Sequence, residues 1–217
     1  MMRLHTGGLA LGALMLSVLA SCTPGGTAPT LEPVVGLPCE GCEAIFDGTP
    51  ASLGPTLRLG EPGEPGEPLR LSGVVRDQDG APARGIVLYF YHTDATGLYP
   101  PGGRASTAEG KRHGRLRGWL RTDDTGAYTV ETIRPGGYPG DVEPQHIHIH
   151  VLEPGRCTYY IDDVVFEDDP RLTERMRARM TGRGGDGIVT PTKDEHGQWL
   201  VTRDITLGKA IAGYPPR

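Results

Sequence analysis

Hydrophobic and polar positions alternate with period two in short bursts along the chain from Leu69 onward. Side chains on a strand point to opposite faces in turn, so this pattern predicts half-buried β-strands. Leu69-Arg-Leu-Ser-Gly-Val-Val-Arg76 alternates, and Asp77-Gln-Asp-Gly80 supplies a turn after it. Gly85-Ile-Val-Leu-Tyr-Phe-Tyr91 is a β-branched and aromatic run that fits a buried strand. Gly118 to Arg121 and Ala127 to Thr132 flank Asp123-Asp-Thr-Gly126, which reads as a hairpin-like connection. His146 to Leu152 alternates strictly, and Gln198 to Ile205 offers a last strand. Helical periodicity is scarce. One short helix is predicted, with Asp169 as N-cap, Pro170 at its first position and Arg171 to Thr181 as its body, its arginines facing solvent. The expected fold class is all-β, a β-sandwich with long loops and one short helix.

The segment before the strands has a different pattern. Arg3 precedes an apolar run from Gly7 to Ala20, too short for a resident transmembrane helix. The run closes on Leu19-Ala20-Ser21-Cys22, which resembles the lipobox of bacterial lipoproteins. That resemblance implies a signal peptide over residues 1–21 and lipidation at Cys22. It also implies export to a lipid-anchored place on the bacterial cell envelope. Thr23 rather than Asp after the cysteine points to the outer membrane. Residues 22–58 then comprise the lipidated cysteine, a polar tether (23–36) and a Cys-x-x-Cys segment, leaving 59–217 for the sandwich. Gly60 to Pro68 repeats Gly-Glu-Pro three times, and three triplets cannot support a collagen helix. An extended, polyproline-like arm on the domain surface is expected there.

Composition narrows the choices. Thirty-three glycines and 20 prolines agree with many turns. A formal charge of −5 argues against nucleic acid as a partner. Apart from Cys22 there are three cysteines, Cys39, Cys42 and Cys157. No second cysteine pair completes a zinc site around Cys39-Glu-Gly-Cys42, so an exported chain is expected to pair two of the three in a disulfide. Composition does not say which two.

The chemistry concentrates at Tyr138-Pro-Gly-Asp-Val-Glu-Pro-Gln-His-Ile-His-Ile-His150. On a strand His146, His148 and His150 share one face, with neighbours about 6.5–7 Å apart. Two imidazoles at that spacing can reach one metal ion. Spacing alone leaves the pairs 146/148 and 148/150 equal.

Five motifs in order then resemble the intradiol ring-cleavage dioxygenases that act on catechol and protocatechuate. They are the Gly-Glu-Pro arm into Leu69-Arg-Leu-Ser-Gly-Val-Val, Tyr91-His-Thr-Asp-Ala-Thr-Gly-Leu-Tyr99, Arg121 to Tyr128, Thr132-Ile-Arg-Pro-Gly-Gly-Tyr-Pro139, and Pro144-Gln-His-Ile-His148. The resemblance implies iron(III), Fe(3+), held by Tyr99, Tyr138, His146 and His148. It makes His150 an outer or surface residue. It also gives Tyr138 a catalytic part, as the tyrosinate that yields its place to substrate. The implied reaction opens a catechol-like aromatic ring between its two hydroxyl-bearing carbons with O₂.

Three positions depart from the family pattern and are candidates for the substrate pocket. Tyr91 stands where the family has Trp. Glu143 stands where it has an Arg that stabilises negative charge on the ring, and Asp163 aligns with a glutamine that braces that Arg. Either Glu143 is exposed and Arg112, Arg115 or Arg134 supplies the cation, or the substrate differs. Two other readings remain: a non-catalytic β-sandwich binding module, suggested by Gly73 to Pro82, and an envelope lipoprotein binding zinc or copper on the histidine strand.

Overall fold

The computed structural model describes Met1, residues 32–39 and residues 41–216. The signal segment, the lipobox and Cys22 lie outside the described residues. The architecture belongs to the unit Leu31–Arg217. Among the described residues, no helix is long and apolar enough to cross a membrane.

In chain order the elements are β1 (Thr56–Arg58), β2 (Pro68–Arg76), β3 (Val87–Tyr91), α1 (Ala108–Arg112), β4 (Arg117–Arg121), β5 (Ala127–Ile133), β6 (His146–Glu153), β7 (Cys157–Tyr160), β8 (Val164–Phe166), α2 (Glu174–Arg177), β9 (Ile188–Val189), β10 (Thr192–Lys193), β11 (Trp199–Thr202) and β12 (Ile205–Thr206). Among the described residues the strands form two six-stranded sheets. One runs β1-β5-β2-β11-β10 with β12 also on β2, and the other β4-β3-β6-β8-β9 with β7 also on β6. The all-β sandwich expected from the alternating pattern is what the chain forms.

Period two explains what lies between the sheets. Leu69, Leu71 and Val75 of β2, Leu88 and Phe90 of β3, and Ile147, Ile149 and Val151 of β6 all point into one buried cluster. The alternate residues of β3 (Val87, Tyr89 and Tyr91) point the other way, into a second buried layer with Ala44 and Ile45. A 3₁₀ segment, Cys42–Phe46, supplies that cover. β3 is therefore buried on both faces, which is why its sequence is apolar throughout. His148 of β6 sits opposite Tyr91 of β3, and His150 opposite Tyr89, so the histidine face belongs to this outer layer.

Four local expectations are corrected. Asp123–Gly126 is a tight turn, capped by the Asp123 carboxylate, but not a hairpin: β4 pairs with β3 while β5 pairs with β2 and β1. The turn carries the chain from one sheet to the other. The Gly-Glu-Pro arm is not polyproline-like, because Gly60, Gly63 and Gly66 have φ of 85°, 83° and 138°, where that helix needs negative φ. Its Glu64 instead folds back to accept two hydrogen bonds from Arg115, at 2.6 and 2.8 Å. The expected tether docks at its end: Val34 bridges to Thr158 of β7, and Gly36 N–H donates to Ala212.

The predicted helix at 171–181 shrinks to α2, Glu174–Arg177, capped by Thr173. Asp169 is drawn off to other work, accepting from Gln145 N–H at 2.6 Å and Arg171 N–H at 2.9 Å. The arginines there are not all solvated, since Arg171 Nη1 donates to the carbonyls of Tyr138 and Glu143.

Candidate metal centre

Two loops and one strand bring Tyr99, Tyr138, His146 and His148 together. The Tyr99 loop starts at Asp94, whose carboxylate accepts from the N–H groups of Thr96 and Leu98 and closes a tight turn. The Tyr138 loop is stitched to it by Gly136 N–H to Asp94 O at 2.8 Å and by Thr93 Oγ1 to Gly136 O at 2.7 Å. Gly97, with φ of 85°, permits this approach: a Cβ there would stand 2.1 Å from the carbonyl oxygen of Gly137. The two histidines follow from strand alternation on β6.

Their polar atoms close a four-membered ring of contacts. Tyr99 Oη is 2.6 Å from Tyr138 Oη and 2.9 Å from His148 Nε2. Tyr138 Oη is 3.1 Å from His146 Nε2, and the two Nε2 atoms are 3.1 Å apart. Donors bound about 2.0–2.1 Å from one ion stand roughly 3 Å from each other. The ring therefore has the spacing of a coordination shell.

Proton counting sharpens this. His146 Nδ1 donates to the Pro144 carbonyl at 2.8 Å, and His148 Nδ1 to the Asp163 carboxylate at 2.9 Å. In neutral imidazoles this leaves both Nε2 atoms with bare lone pairs. Burial lowers the pKa of His146, which favours its neutral form. Two hydroxyl protons then serve four contacts, so two of the four set lone pair against lone pair. A cation among the four atoms removes that conflict. The set also suits a hard trivalent ion, because two phenolates are anionic oxygen donors and two imidazoles complete them. Without such a cation burial pushes both the Tyr99 and Tyr138 phenols above their ordinary pKa.

The remaining predicted residues fall into place around the ring. Asp163 does not brace an arginine; it fixes the ring of His148. Burial works against its charge, but the neighbouring imidazole outweighs burial and holds its pKa below the ordinary carboxylate value. Such a carboxylate–histidine pair selects the tautomer that presents Nε2 to a metal. Tyr91 stacks between His148, at 4.3 Å between ring centres, and His113, at 3.6 Å. His150 is no surface residue: it is 3% exposed, and burial lowers its pKa to about 3.

A cleft of about 940 Å³ opens over the ring, walled in part by Glu143, Tyr160, Leu172, Met176 and Met180. Glu143 is exposed at this wall. Of the three arginines considered as replacements for the family cation, only Arg112 lines the cleft. Arg115 is held by Glu64, and Arg134 by Asp168 at 2.6 and 2.9 Å. His113 and Arg179 also line the cleft and were not singled out from sequence. His113 follows α1 in the Gly-rich basic stretch that also carries Arg112 and Arg115, and nothing in its local sequence marks it out.

Fold and donor ring define a class, a β-sandwich carrying a four-donor cluster fit for a metal. A family model described as Dioxygenase matches residues 46–183, more than half of the 217, and the chain belongs to the intradiol dioxygenase family. The chain is 32% identical over 114 residues to the protocatechuate 3,4-dioxygenase alpha chain of Burkholderia cepacia, covering 52% of this chain and 57% of that one. It thus spans little more than half the length of that curated relative. Among solved structures it is similar to the dioxygenase domain of a dioxygenase carbohydrate-binding protein fusion from Streptomyces sp. SirexAA-E. That match has a TM-score of 0.55 and 27% identity, over 73% of this chain and 90% of the other. Catechol 1,2-dioxygenase from Acinetobacter sp. ADP1 shares the fold, with a TM-score of 0.55 at 20% identity over 81% and 69% of the two chains.

Proposed function

We propose that the chain is an iron(III) dioxygenase that opens a catechol-type ring between its two hydroxyl-bearing carbons, using O₂. The ring of four donors, with two contacts that lack a proton, is the observation that carries this reading. A ferric ion held by these four residues would supply Lewis acidity and a template for the substrate.

The chain's own residues do the rest. Asp163 and the Pro144 carbonyl keep the two imidazoles in the tautomer that presents Nε2. Tyr99 remains a fixed phenolate, its loop tied at Asp94. Tyr138 would be the donor that yields its place to substrate, and its phenolate oxygen is positioned to take up one of the substrate's hydroxyl protons as a base. Tyr91 walls the ring and limits how the aromatic plane can lie. Arg112, which also donates to Glu109 at 3.0 Å, and Arg179 are the arginines that line the cleft and can face an anionic ring. The test is oxygen uptake by iron-replete protein with a panel of catechols. One O₂ consumed per ring, with an acyclic diacid as product, supports the reading. A colourless protein carrying stoichiometric zinc and consuming no oxygen favours an envelope metal-binding protein instead.

The same proposal places the domain outside the cytoplasm on a lipid anchor at Cys22, probed by Cys22→Ser. The variant should leave the membrane fraction or accumulate as unprocessed precursor. Unchanged fractionation contradicts the anchor.

A further inference from the structure

We propose that Cys39, Cys42 and His150 form a second metal site, closed as a disulfide in the oxidised chain and selective for zinc(II) once that disulfide is reduced. Cys39 and Cys42 are disulfide-bonded in the structure, while Cys157 is free and buried. Both sulfurs and a ring nitrogen of His150 lie within 4.8 Å of one another. His150 is the histidine of its strand face whose Nδ1 no side chain among the described residues holds by a hydrogen bond. His146 and His148 are held through Nδ1 by Pro144 and Asp163. Nδ1 of His150 is buried and makes no well-formed hydrogen bond among the described residues, the backbone of Cys42 being in polar contact with the ring. Buried polar nitrogens are nearly always well satisfied, so a poorly satisfied imidazole with a ring nitrogen this near two sulfurs points to a ligand that the oxidised pair cannot hold.

Reduction need not scatter the donors. Gly41, at φ of 73°, packs so closely on His113 that a Cβ there would stand 2.9 Å from its Nε2. Cys42 opens the 3₁₀ segment whose Ala44 and Ile45 are fully buried under the outer layer of the sheet. The Cys-x-x-Cys turn is thus anchored at Gly41 and beyond Cys42 by packing that does not involve the S–S bond.

The donor chemistry selects the ion. Two thiolates and an imidazole form a soft to borderline set, suited to zinc(II) or copper(I). Cys42 is fully buried and His150 nearly so, and an uncompensated charge there is costly. Zinc(II) with two thiolates sums to zero, whereas copper(I) leaves one negative charge. Zinc is the better match. His150 also lines the cleft, from which water can complete a fourth position. The steps balance. An external dithiol is oxidised to its disulfide as Cys39 and Cys42 take up two electrons and two protons, and zinc binding then releases both thiol protons.

The test compares oxidised and dithiol-reduced forms of the same purified full chain. After incubation with zinc and gel filtration, metal is counted by elemental analysis, and thiol protection by iodoacetamide mass labelling. One additional zinc per chain in the reduced form, with two thiols shielded from alkylation, is expected. Cys39→Ser and Cys42→Ser should each lose the additional zinc. His150→Leu, which keeps the site apolar, should weaken it by about a hundredfold or more, at the top of or beyond the range seen when a partner that merely orients a ligand is removed. Circular dichroism confirms that each variant is folded. Equal zinc in oxidised and reduced forms overturns the proposal, as does zinc retained by either serine variant. So does a folded His150→Leu chain that binds as tightly as the parent.

Discussion

The smallest change that probes the centre is at Asp163, which touches the proposed metal only through His148. Asp163→Asn leaves His148 free to rotate or to change tautomer. Iron affinity should fall by about 10- to 100-fold, read by competition with a chelator, while the melting temperature moves little. Unchanged affinity contradicts the orienting role. His146→Ala and His148→Ala should abolish iron binding, because each removes one of the four donors. Strand alternation made a shared histidine face legible in sequence, while the choice of His146 with His148 and of both tyrosines came from motif order. Asp163 stands out in the sequence only as a departure from a family glutamine, which says nothing of its bond to His148. Its hydrogen bond to His148 spans 15 residues and a change of strand, and no local pattern encodes that. Glu143 gives a residue-scale prediction of another kind. Glu143→Arg should raise turnover of simple catechols at constant iron content, by placing positive charge where the ring becomes anionic. A loss of turnover with iron retained would mean that the acidic residue itself serves the substrate.

The elements matter because two loops must meet for the tyrosines to meet. Gly97→Ala tests that junction, since its methyl would collide with the Gly137 carbonyl and the backbone sits at positive φ. The variant should stay folded, with a lower melting temperature and reduced iron content as Tyr99 and Tyr138 are pushed apart. Full iron content would show that the loops have slack. A second junction lies at Asp47, which accepts from the N–H and hydroxyl groups of both Ser106 and Thr107. Burial alone would raise its pKa, but these hydrogen bonds outweigh it and hold the carboxyl far below the ordinary range. A depressed carboxyl stabilises the fold fully above the unfolded value, near 3.9, and loses that effect as the pH falls through the folded value. Asp47→Asn should therefore cost about 1–3 kcal/mol by denaturant unfolding at neutral pH, with the gap shrinking only below about pH 4. Strands were the legible elements. The connections were not, since Asp123-Asp-Thr-Gly126 has the same turn chemistry whether it closes a hairpin or crosses between sheets. The helix beyond Asp169 was overestimated because its cap residue serves Gln145 as well, and little apolar surface holds the segment as a longer helix.

At the scale of the whole molecule, two sheets share one apolar core, and the outer face of one of them carries the chemistry. β6 links these roles: Ile147, Ile149 and Val151 seal the core while His146 joins the donor ring and His148 also lines the cleft. Core and histidine face are thus encoded in one strand, which is why a period-two pattern revealed both. The cleft's far wall comes from the segment around α2, whose Leu172, Met176 and Met180 sequence periodicity assigned only to a generic helix. The visible absorption spectrum of the purified, iron-replete protein tests the account most directly. Phenolate-to-iron(III) charge transfer should give a broad red-brown band that shifts or bleaches in Tyr99→Phe and in Tyr138→Phe, with far-ultraviolet dichroism unchanged. A colourless iron-loaded protein, or a band indifferent to both substitutions, would contradict the assignment of these two tyrosines and two histidines as the metal's donors.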